Sequence, residues 1–79
     1  MHIVDLDASV KEKDALDLAR VIYKALRDAG HFPPESRLIV EEIEVDPERD
    51  DLYDVLEAHG YDDAYVVFLH GEKIIALVV

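Results

Sequence analysis

The sequence predicts a small α/β protein of a single domain, with the element order β-α-β-α-β-β, and three observations carry that reading. Apolar residues recur at strand spacing in four stretches and at helical spacing in two. Glycines fall where each helical pattern stops and where the last two strands meet. A chain of 79 residues, 51% of them hydrophobic, holds one core and no more.

His2 to Asp7 reads as the first strand, because Ile3, Val4 and Leu6 favour extended backbone and the run stops at Asp7. Ser9 and Glu12 form an S-x-x-E capping box that opens a helix. Along it Ala15, Leu18, Ala19, Ile22, Leu26 and Ala29 repeat on one side, with Lys13, Asp17, Arg20, Lys24 and Arg27 opposite. Gly30 supplies the left-handed cap, and His31 to Ser36, with Pro33 and Pro34 adjacent, is a loop pinned by Phe32.

Leu38 to Val45 is the second strand; Ile39, Ile43 and Val45 alternate with Glu42 and Glu44, the half-polar pattern of a sheet edge. Asp46 is placed to cap a second helix with Pro47 at its first position, and Leu52, Val55, Leu56 and His59 follow at helical spacing up to Gly60. Ala64 to Leu69 is apolar throughout, as in a central strand covered on both faces. His70-Gly71-Glu72 makes a tight turn, and Lys73 to Val79 returns as the fourth strand.

Successive right-handed crossovers predict a four-stranded mixed sheet of order 2-1-3-4. Two topologies share that order. The third strand runs parallel to the first in a small doubly wound sheet, and antiparallel to it in a thioredoxin-like one.

The run Val40 to Glu48, then His59-Gly60, Val66 to Leu69 and Gly71 to Ile74, resembles the thioredoxin and glutaredoxin pattern over the C-terminal half. The resemblance implies topology only. Where that family has C-x-x-C after its first strand, this chain has Asp7 to Lys11; neither Ala64 nor Tyr65 is the cis-proline, and the final helix is missing. Clean caps, short loops and the absence of cysteine also resemble a computationally designed protein built from idealised elements.

Nineteen acidic residues against eight basic ones give a formal charge of −11. Nucleic acid and anionic membranes are thereby disfavoured as partners, whereas basic proteins and cations suit the surface. Without cysteine there are no disulfides, thiolate nucleophiles or Cys-based zinc sites. The longest apolar runs are too short to span a bilayer, and the start lacks the pattern of a signal peptide, so a cytoplasmic or recombinant soluble protein is expected.

Asp5-Leu6-Asp7 after an apolar strand resembles the D-x-D opening of haloacid-dehalogenase-like phosphotransferases, although their downstream lysine and acidic pair have no room here. With an antiparallel third strand, Asp7 would approach Asp62 and Asp63 and could hold a divalent cation; with a parallel one the groups separate. His2 and His31 meet His70 under the first topology and His59 under the second. No Ser-His-Asp set is identifiable around Ser9 or Ser36.

The expectation is therefore a non-enzymatic scaffold or interaction module, with no cofactor and no metal. Its association surface is expected to be the terminal strand Ile74, Ile75, Ala76, Leu77, Val78 and Val79, apolar on both faces, placed at a sheet edge and guarded only by Lys73. A homodimer or a peptide adding a strand would cover it. The alternative is an acidic cation-binding or phosphohydrolase-like domain using Asp5, Asp7, Asp62 and Asp63.

Overall fold

A computed structural model describes residues 2–79. Its strands are β1 (His2–Leu6), β2 (Leu38–Ile39), β3 (Ile43–Glu44), β4 (Val66–His70) and β5 (Lys73–Val78); its helices are α1 (Glu12–Asp28) and α2 (Leu52–Ala58). The predicted element order holds, with the second strand divided into β2 and β3. Glu41, half-buried, and Glu42, exposed, lie in the break where extended pairing stops.

The sheet is mixed and its order is β1-β4-β5-β2, with β3 also on β5. β1 and β4 are parallel, whereas β5 is antiparallel to β4, β2 and β3. This corrects the expected 2-1-3-4 order. The strand Ala64–Leu69 does lie beside the first strand, in the parallel direction, but Leu38–Val45 joins the far side of β5 instead of flanking β1. Burial supplies the reason. Ile74, Ile75, Ala76, Leu77 and Val78 are at most 2% exposed, a state that requires neighbours on both sides and layers on both faces. The half-polar segments take the rims.

The terminal strand is thus interior, not an edge. Its residues alternate between two cores. Val66 and Phe68 of β4 with Ala76 and Val78 of β5 face α1, where they meet Ala15 and Ala19. Val67, Leu69, Ile74 and Leu77 face the other way, onto Leu56 of α2 with Ile43 and Val45. A register shift between Phe68 and Leu69 leaves Ile75 unpaired in β5, so Ile75 and Ala76 both turn toward α1.

The hairpin turn is Gly71-Glu72. Gly71 has φ +60° while, among the described residues, no non-glycine residue has positive φ, the pattern of a two-residue turn with the left-handed residue first. Gly30 and Gly60 end the two helical segments at φ +82° and +85°, as their positions predict.

Both expected helix starts are corrected. Lys11 occupies the N-cap of α1 without a side-chain bond, while the Asp7 carboxylate accepts from the Ser9 N–H at 2.9 Å; the acidic residue takes the turn before Ser9 can cap. Asp46 and Asp50 accept from each other's turn, through Glu48 N–H and Asp46 N–H respectively, and close one isolated turn. α2 begins only after Asp51, whose carboxylate accepts from Tyr53 N–H at 2.9 Å. On α1, Leu18 is 41% exposed and lies off the buried stripe.

Candidate functional site

With β5 enclosed, the sheet has two rims, and they differ. The β2/β3 rim is interrupted after two residues and carries Glu41, Glu42 and Glu44, which discourages pairing with a further strand. β1 is five residues long, straight in register with β4 from His2↔Val66 to Leu6↔His70, and among the described residues no strand lies on its other side.

The register says which groups are free. His2 N–H donates to the Tyr65 carbonyl at 2.9 Å, and in a parallel ladder only alternate residues address the same neighbour. His2, Val4 and Leu6 therefore turn their peptide groups toward β4, and those of Ile3 and Asp5 point away from the sheet. Side chains alternate on the other axis: Val4 and Leu6 face the α1 layer, and Ile3 and Asp5 face the opposite one. α2 does not reach Ile3, which is 43% exposed.

Above β1, α1 leaves a groove. The helix lies over β4 and β5, and the space between it and the rim is a cleft of about 480 Å³. Its floor is His2, Val4 and Val66, its wall Ile22 and Leu26, and its end Phe32 with His31 and Tyr65. Phe32 is fixed by stacking on Tyr23 at 5.9 Å and by Tyr65 at 6.2 Å. Tyr23 is held in turn by donating its hydroxyl to the Ser36 carbonyl at 3.0 Å. Leu18, four residues before Ile22, lies on the same side of the helix and is exposed.

A second hollow, about 410 Å³, is lined by Glu44, Val45, Asp46, Asp50, Glu72 and Lys73. Lys73 offsets its charge by pairing with Glu42 at 2.7 Å and Glu12 at 3.9 Å, which holds the ammonium above its ordinary pKa. Hydrogen bonds from Ser9 hold the Asp7 carboxyl below the ordinary range.

The other expected sites disperse. Because β1 and β4 are parallel, Asp7 follows one strand's end while Asp62 and Asp63 precede the other's start, with more than about 15 Å of strand between them. The set Asp5, Asp7, Asp62 and Asp63 is not brought together. Among the described residues no group of three or more His, Asp or Glu is arranged to hold a metal. His2 and His31 share the cleft, His59 pairs with Glu41 at 3.6 Å, and His70 contacts the Val10 carbonyl near the opposite end of β1. Among the described residues no helix is long and apolar enough to cross a membrane.

Comparison with known proteins finds no matching family model, no similar curated protein and no similar solved structure. The described residues define a small α/β protein with two helices and a mixed five-stranded sheet, with β1 at one rim.

Proposed function

We propose that this protein is an interaction module that accepts an extended segment of a partner along β1, and that it catalyses no reaction. The observation that carries the reading is the combination at one rim: unpaired peptide groups of Ile3 and Asp5 beside an apolar groove walled by α1. Strand addition uses these two ingredients, main-chain hydrogen bonds for affinity and a side-chain pocket for selection. Association by strand pairing, expected at the terminal strand, thus moves to the first one.

The test uses an end-capped peptide of alternating valine and lysine, followed by amide NMR on the intact protein. The Ile3 and Asp5 amides are expected to shift and become protected from exchange. Ile3→Pro removes an outward N–H, a change edge strands tolerate, and should abolish the effect with the fold retained. Asp5→Pro acts in the same way and serves as the second variant. Absence of any β1 response, or an undiminished one in both folded variants, overturns the reading.

A further inference from the structure

We infer that the β1 groove selects a partner strand with apolar side chains on its α1-facing side and lysine or arginine on its other side. This rests on the strand-accepting reading and adds the chemistry of the strand. Cross-strand neighbours share a face of the sheet, so each partner residue is chosen by the β1 residue opposite it.

On the α1 side, a partner residue opposite Val4 or His2 projects beneath Ile22 and Leu26. Only an apolar group removes that wall from water without leaving an unpaired polar atom. On the other side the neighbours are Ile3, exposed and apolar, and Asp5, exposed and acidic. A lysine or arginine satisfies both, its methylene stem lying on Ile3 and its charged head reaching Asp5. A glutamate there would meet Asp5 as a like charge.

The whole surface reinforces the choice. At −11 the protein attracts basic segments over distances of about a Debye length, near 8 Å at physiological salt, and it repels a second copy of itself. The selected partner is therefore a basic, alternating segment of a different protein, and self-association through β1 is disfavoured.

Two end-capped peptides test this, one alternating valine with lysine and the other valine with glutamate, against three proteins: wild type, Asp5→Lys and Glu57→Lys. Glu57 is exposed on α2, so its reversal changes net charge equally without touching the groove. Wild type should prefer the lysine peptide on the order of tenfold, a difference of about 1.4 kcal/mol. Asp5→Lys should lose or invert that preference, and Glu57→Lys should keep most of it. Equal losses in the two variants would mean that net charge alone attracts the peptide, which overturns the selection while leaving strand addition intact. Equal affinity of wild type for both peptides, with β1 still responding, does the same. Binding of neither peptide counts against the strand-accepting reading itself. A dimer of the free protein that Ile3→Pro dissociates would identify a second copy as the occupant and overturn the choice of a basic partner.

Discussion

Arg37 and Val79 exchange a pair of backbone hydrogen bonds, Arg37 N–H to the Val79 carbonyl at 2.9 Å and Val79 N–H to the Arg37 carbonyl at 3.1 Å. That pair ties the last residue to the segment entering β2 and closes the outer side of the terminal strand. With β5 enclosed between β4 and the β2/β3 segments, and β1 paired only with β4, the rims of the sheet fall to β1 and to β2/β3.

Truncation inside β5 should be expensive. Leu77 is wholly buried between β4 and β2, facing α2, so Leu77→Ala removes transferred methyl groups and leaves a cavity. A loss of about 2–5 kcal/mol in urea-induced unfolding is expected. A loss under about 1 kcal/mol would place that strand at a wet edge.

The two helix starts should respond differently. Asp51→Ala deletes the acceptor for Tyr53 N–H and should cost about 1 kcal/mol. Ser9→Ala retains the N–H that Asp7 engages and should stay within about 0.5 kcal/mol of wild type. Thermal unfolding of the two variants side by side decides it.

At Gly71 the backbone sets the cost. A Cβ there would stand 3.6 Å from that of Ala8, an ordinary contact, but φ +60° is unfavourable for an L-residue. Gly71→Ala should therefore destabilise by about 1–2 kcal/mol with the hairpin unchanged in its NMR contacts.

Alkaline and acid limbs have separate sources. Tyr61 donates its hydroxyl to Glu41, and this bond, with burial and the carboxylate's charge, raises the phenol above its ordinary 10.0. Lys73 is raised above 10.5 by Glu42 and Glu12. Both folded values exceed the unfolded ones, so their contributions are complete below pH 10 and are lost as pH rises through the raised values. Asp7 is lowered from 3.8, so its contribution is complete above that value and is lost as pH falls through the depressed one. Glu41→Gln should lower the tyrosinate midpoint of Tyr61 followed by ultraviolet absorbance; an unchanged midpoint would show that Glu41 does not hold the phenol.

Element order, the hairpin and the glycine stops were legible from residue pattern because each depends on local spacing. Sheet order was not. The crossover rule set Leu38–Val45 beside the first strand, yet Ile74–Val79 is the same kind of run as Ala64–Leu69, and a segment apolar on both faces needs a strand on each side. Burial of β5 overrode the simplest connection. The pattern at the start of the chain already carried the other half of the answer, since Ile3 and Asp5 share a face that suits a rim. The groove itself was hidden, because it depends on α1 lying over β4 and β5 and on Phe32 being held between Tyr23 and Tyr65. Ser9 and Asp46 misled for a simpler reason: each sits beside an aspartate, Asp7 or Asp50, that uses the same turn.

Amide hydrogen exchange on the free protein distinguishes an open β1 and an enclosed β5 from the reverse arrangement. Ile3 and Asp5 are expected to exchange rapidly, while Val4 and the β5 amides of Ala76 to Val78 exchange slowly. Slow exchange at Ile3 and Asp5 in a monomer, or rapid exchange along β5, would contradict an open β1 and an enclosed β5.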